Sequence, residues 1–225
     1  MRTPGTRRTR LAPQARRDQL IQLGLELLTE QAADSSVALA ELSVDELATR
    51  AGISRGLLFH YFTSKQDYLR AVVTAACEHL IACTQPPADL GPTEQLRACL
   101  RAYVDYALDR RTQYTALVRG SLGDDPEIGR IVDAARRQIT DLLVADLPTL
   151  GIPEHPLRTV AVRAWIAFAE ETVVRWPQNG PDVDRARLVA FLERGFHAVL
   201  ACLGEQTGPA ACSTADAGRG PRLSP

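Results

Sequence analysis

Apolar residues along this chain recur at intervals of three and four, the period of one helical face, and no strand-and-turn rhythm interrupts them. Leu20, Leu23, Leu27 and Leu28 predict a first helix from about Pro13 to Gln31, with the proline near its first turn. Two short stripes follow within residues 43–62. A long one, Tyr68, Leu69, Val72, Val73, Cys77, Leu80 and Ile81, marks a fourth helix beginning at Ser64. Pro86-Pro87 and Gly91-Pro92 then break the chain before a helix over about Thr93–Asp109, whose Leu96, Leu100, Tyr103, Val104 and Ala107 face inward. Further helices are expected over Arg110–Ser121, from Pro126 to about Leu147, over Pro156–Trp176 and over Val183–Leu203. The expected fold is all-α, about nine helices, with a small N-terminal three-helix head ahead of a larger helical body.

The segment Ser43–Phe62, SVDELATRAGISRGLLFHYF, carries the most chemistry. Ser43 with Glu46 three residues on is a capping box, in which a hydroxyl and a carboxylate satisfy backbone N–H groups that the first turn leaves unpaired. Val44, Leu47, Ala48 and Ala51 share one face, and Gly52 supplies the left-handed backbone that ends a helix. Ile53 fills the corner and Ser54 caps the next helix. In that helix Leu58 and Phe62 lie on one stripe, leaving Arg55, Gly56, Leu57, His60 and Tyr61 more exposed. Two capped helices joined by such a turn suit a helix-turn-helix, which presents the start of its second helix to base edges in the major groove.

The run A-G-I-S, then R-G-L-L-F-H-Y-F and T-S-K at 63–65, closely resembles the TetR family of bacterial transcriptional regulators, over roughly residues 13–75. The resemblance implies a DNA-binding domain over 13–75 and an effector-binding and dimerisation domain over 76–204, while arginine content indicates a disordered basic arm over 1–12 and Gly, Pro, Ser and Ala content a disordered tail over 205–225. It implies DNA contacts from Ser43, Arg55, Gly56, Leu57, His60, Tyr61 and Lys65. Arg55 would donate to a guanine edge or a phosphate, Gly56 would admit the backbone closely, and Leu57 would meet a thymine methyl. Ser43, His60, Tyr61 and Lys65 would set register on phosphates. The family's frequent tyrosine at position 59 is phenylalanine here, so Phe59 is expected to pack. The link over 32–42 is longer than the family's usual loop.

Charge changes the picture when divided along the chain. Residues 1–17 hold six arginines and no acid, and residues 1–70 hold ten basic and eight acidic side chains, although the whole chain of 225 residues is at −1. Such an arm suits phosphates. Lys65 is the single lysine in a chain whose Lys and Arg total 26, and in the family the matching lysine contacts a backbone phosphate.

The resemblance also implies an effector pocket among the fifth to eighth helices and a dimer through the last two. Ligand candidates are Tyr103, Tyr106, Trp165, Phe168, Glu171 and Arg175, with Tyr114 and Trp176 nearby. Glu170 and Glu171 stand in an otherwise apolar helix, where a carboxylate is either paired or functional. Glu171 with Arg175 also reads as a surface ion pair, and the aromatics as core. The expected partners are a double-stranded operator, a second copy of the chain and a small-molecule effector, with release of DNA by the effector making the protein a repressor.

Other classes fit less well. The four histidines (60, 79, 155, 197) are scattered, and no H-E-x-x-H, G-x-S-x-G or phosphate-binding glycine loop is present, so no enzyme, metal site or cofactor is expected. No uncharged apolar run reaches the ~18 residues of a membrane span, and the arm lacks the apolar core of a secretory signal, so a bacterial cytoplasmic location on DNA is expected. The five cysteines lack C-x-x-C spacing. The remaining alternatives are an activator or a cysteine redox sensor of the same family.

Overall fold

The computed structural model describes residues 12–30, 43–50, 52–119, 125–176 and 184–204. The expectations for the arm before residue 12, the link 31–42, Ala51, the approach to Asp125 and the tail after 204 lie outside these residues, as do those for the side chains of Leu27, Leu28 and Leu47. Among the described residues there are nine α-helices and no strand. They are α1 (Pro13–Glu30), α2 (Val44–Arg50), α3 (Arg55–Tyr61), α4 (Lys65–Cys83), α5 (Pro92–Asp109), α6 (Arg111–Arg119), α7 (Pro126–Asp146), α8 (Arg158–Arg175) and α9 (Arg185–Gly204). A short 3-10 turn, Leu147–Leu150, follows α7.

Local chemistry sets these boundaries. The Ser54 side chain accepts from the Leu57 N–H at 3.2 Å and so starts α3. Asp125 accepts from the Glu127 N–H at 3.0 Å, with Pro126 in the first turn, and so starts α7. Asp184 accepts from the Ala186 N–H at 2.9 Å and starts α9 later than the apolar pattern suggested. Likewise α8 begins at Arg158, because Pro156 and Leu157 are spent in a turn, and the His155 and Leu157 carbonyls accept from the N–H groups of Arg158 and Ala161.

Two apolar cores result. The head core gathers Leu20 of α1, Leu58 of α3, Phe62, and Tyr68, Leu69, Val72, Val73, Ala76 and Cys77 of α4. It extends into the body, where Leu117 of α6 and Ile128 of α7 belong to the same cluster. The Tyr68 hydroxyl donates to the Leu20 carbonyl at 2.8 Å, which satisfies a phenol that burial would otherwise penalise. Phe62 meets the Tyr68 ring edge-on at 4.9 Å. The body core joins α5, α8 and α9 through Leu96, Leu100, Val104, Val162, Ile166, Val173, Leu188, Leu192 and Phe196.

Two polar ties hold α4 between the cores, and a third joins α8 to α9. Arg70 donates to both oxygens of Asp125 through Nε and Nη2, at 2.7 and 3.1 Å, so the group that caps α7 is bonded to α4. The Tyr106 hydroxyl of α5 donates to the Ala76 carbonyl at 3.1 Å. Across the bundle, the Trp165 indole N–H of α8 donates to the Leu192 carbonyl of α9 at 3.1 Å.

Gly24 is where α1 comes nearest to α4. A Cβ built there would stand 2.3 Å from the Tyr68 hydroxyl and 2.6 Å from Val72 Cγ2. Gly24→Ala is therefore expected to lower stability by about 1–3 kcal/mol, because α1 must lift from α4. Thermal denaturation followed by circular dichroism measures this; an unchanged midpoint would show that the contact is not tight.

Candidate nucleic-acid interface and ligand cluster

The turn between α2 and α3 forms as its residues dictate. Ser43 Oγ accepts from the N–H groups of Asp45 and Glu46 at 3.2 and 3.4 Å. Gly52 takes φ +60°, and the N–H groups of Gly52 and Ile53 close on the carbonyls of Thr49 and Ala48 at 3.1 and 2.9 Å. Ala48 and Leu58 are buried and Ile53 packs beside them, so the second helix is held against the first by apolar contact.

This seating decides which side of α3 remains outside. Leu58 and Phe62 turn inward with 2% and 1% of their surfaces accessible. Arg55, Gly56, Leu57 and His60 are exposed, as expected. Tyr61 is half-buried and packs against the head core, with His60 edge-on to it at 5.3 Å. Lys65 is half-buried at the first position of α4. Its place is set by a reciprocal cap: Ser64 Oγ accepts from the Asp67 N–H at 3.0 Å, and the Asp67 carboxylate accepts from the Thr63 N–H at 2.9 Å.

Phe59 departs from expectation. The missing hydroxyl predicts packing, yet 40% of its surface is open. The reason is angular: Leu58 within α3 and Phe62 at its C-cap point inward, and 59 lies a hundred degrees away from 58. The Arg55 guanidinium stands over the Phe59 ring at 5.9 Å, and Asp45 lies beside it, with Arg55 Nη1 at 3.4 Å from one carboxylate oxygen. Asp45 and Arg55 are ten residues apart, so only the helix-turn-helix geometry brings them together.

The six ligand candidates do not converge on one site. Trp165 is buried between α8 and α9, against Phe196 at 4.8 Å. Tyr106 is buried at the α4–α5 seam with Arg110 over its ring at 5.0 Å. Phe168 faces outward, 38% open, beside Phe191. Glu171 pairs with Arg175 and, at 3.0 Å, with Arg119 on the surface, and these guanidinium groups hold its carboxyl below the usual range. The physical reason is helical: each three-residue step along α8 turns the side chain by about 60°, so Trp165 and Glu171 end roughly 120° apart around the axis.

Of the six, Tyr103 alone belongs to a half-buried polar cluster. Its hydroxyl lies 2.5 Å from that of Tyr114 in α6, and burial pushes both phenols well above their ordinary range. Arg136 of α7 donates to Glu170 of α8 at 2.9 Å, close enough for both charges to act on the two phenols. Arg136 carried no signal in the sequence, since its stripe reads as a solvated face.

Burial weakens three of the thiols as nucleophiles. Burial pushes Cys77 up to about 11 and raises Cys83 and Cys99 as well, so the thiolate fraction near neutrality is small. With Cys202 and Cys212 changed to serine, reaction with a thiol reagent is expected to be slow at pH 7 and to quicken as pH rises above the ordinary thiol range. Rapid labelling at neutrality by a colorimetric disulfide reagent would restore the redox alternative.

Residues 35–72 match the family of bacterial regulatory proteins known as tetR, and residues 92–199 match the tetracyclin repressor-like C-terminal domain. The HTH-type transcriptional activator FasR of Mycolicibacterium smegmatis is 25% identical, over 80% of this chain and 81% of the relative. The HTH-type transcriptional regulator BetI of Serratia proteamaculans is also 25% identical, over 78% of this chain and 88% of its own. Among solved structures, a tetR-family transcriptional regulator from Streptomyces coelicolor is 28% identical, with a TM-score of 0.72 over 86% of this chain and 84% of that one.

Proposed function

The chain belongs to the TetR family and is a helix-turn-helix transcriptional regulator, and from that premise we propose that it represses transcription as a dimer on a palindromic operator, released by a small-molecule effector. The observation that carries the reading is the division of α3: Leu58 and Phe62 are buried, while Arg55, Leu57, Phe59 and His60 form an outward arc. In this reading Arg55, Gly56 and Leu57 meet base edges, and Ser43, His60, Tyr61 and Lys65 meet phosphates. The arginine-rich arm adds attraction to the duplex that carries no base preference.

A second copy would dock on the outer face of α8 and α9. Val160, Phe168 and Phe191 are 63%, 38% and 41% open there, with exposed Ala164, Ala167 and Ala198 on the same stripes. Gly195 lets Phe168 lie flat against α9, since a Cβ would stand 2.8 Å from Phe168 Cε1. A contiguous apolar surface of this kind favours a two-fold partner, whose symmetry matches an operator of two half-sites. In this reading the effector binds at Tyr103, Tyr114, Arg136 and Glu170, which belong to α5, α6, α7 and α8. Its occupant must bind the DNA-incompetent arrangement more tightly than the competent one, or it shifts nothing.

Activation is the second reading, favoured by the name of the mycobacterial relative. A promoter reporter separates the two: deleting the gene raises output under repression and lowers it under activation.

Arg55→Ala is expected to weaken operator binding by about tenfold or more, and Lys65→Ala to reduce the salt slope by about one, both without change of mass in solution. Fluorescence anisotropy on the selected operator, over a range of salt, measures this; unchanged affinity in both variants would undo the assignment. Phe191→Glu is expected to yield monomers by sedimentation and to abolish tight binding, whereas a variant that still sediments as a dimer would move the interface elsewhere.

A further inference from the structure

Arg55 is held on two sides before any duplex arrives. Its Nη1 lies 3.4 and 3.5 Å from the two oxygens of Asp45, and its guanidinium carbon lies 5.9 Å over the Phe59 ring. Both members of the ion pair are open to solvent, at 62% and 69% for their side chains, so the contact does little for folding. We infer that Asp45 and Phe59 are positioning residues that aim Arg55 at a guanine in each half-site, a specificity device resting on the DNA-reading assignment above.

The chemistry favours a base over a phosphate. Asp45 occupies the Nη1 end of the guanidinium, which leaves Nε–H and the Nη2 end as a two-donor fork. That fork matches the O6 and N7 acceptors of guanine, a bidentate pair. A phosphate would compete with Asp45 for the same cation and would place two anions side by side, whereas the guanine edge is neutral. The Phe59 ring limits the swing of a side chain that otherwise has many rotamers, and a guanidinium over a ring face within ~6 Å is attracted to it. Asp45 also sits in the first turn of α2, beside the Ser43 cap, so its charge repels the backbone of any sequence equally. It therefore lowers non-specific binding while sharpening the correct contact.

The test is selection from a randomised duplex library with the full-length protein, followed by binding to the recovered duplex and to its single-base variants. Wild type is expected to recover a two-fold site with one fixed guanine per half, which Arg55→Ala and Arg55→Lys both lose. Asp45→Asn is expected to lower discrimination at that guanine about tenfold while binding random-sequence duplex more tightly, and Phe59→Leu to give a smaller loss. Circular dichroism melting shows whether each variant is folded, and Asp45→Ala replaces Asp45→Asn if that protein is not. A preserved guanine preference in the Asp45 variants, or tighter binding to random duplex without loss of discrimination, overturns the inference alone. Failure of wild type to enrich any sequence overturns the DNA-reading assignment beneath it.

Discussion

The arrangement of the head depends on how one phenol is accommodated. Tyr68 is buried, and its hydroxyl reaches the Leu20 carbonyl of α1 at 2.8 Å. A polar atom so placed has one acceptable partner, so α1 and α4 cannot slide without leaving it unsatisfied. Gly24 grants the ring its room, and Phe62 stacks edge-on against it at 4.9 Å. Because Phe62 ends α3, the rotation of α3 about its own axis follows from the Tyr68 seat. The outward arc of Arg55, Phe59 and His60 is the complement of that buried stripe.

Helix α4 belongs to both cores and therefore cannot respond to one alone. Tyr68 to Cys77 line the head core, whereas Leu80 and Cys83 touch the body core. Arg70 holds the Asp125 carboxyl below its usual range while the same carboxylate caps α7, so displacement of α7 strains an ion pair and a helix start together. Tyr106 adds a bond from α5 to the α4 backbone. Packed interiors transmit such displacements, because side chains at close-packed density have no slack to absorb them. A change among α5 to α8, where Tyr103, Tyr114, Arg136 and Glu170 meet, thus has a mechanical route to the recognition helix.

The helices, their caps and the turn at Gly52 were legible because each rests on neighbours a few residues away: a hydroxyl three positions before an N–H, an apolar stripe at helical period, a glycine where φ must be positive. The exposed Arg55, Leu57 and His60 were legible for the same reason. Phe59 was misjudged, since a missing phenol hydroxyl says nothing about burial, whereas its angle from Leu58 does. Trp165, Phe168 and Glu171 read either as ligand candidates or as core aromatics and a surface ion pair, and the second reading holds for Trp165 and for Glu171 with Arg175. Their differing directions from the α8 axis send them to a core, an outer face and a surface ion pair.

What the chain alone determined is local and one-dimensional: helix content, the capped pair at Ser43–Phe62, and the membership in a family of DNA-reading regulators that its motif announced. Only tertiary packing decided which residues far apart in sequence act together. Asp45 meets Arg55 across a turn, Arg70 finds the cap of α7 at Asp125, and Arg136 meets Glu170 beside two phenols. The physical reason is that charge and hydrogen-bond partners are chosen by distance in space, and no periodicity along a strand of residues encodes that distance.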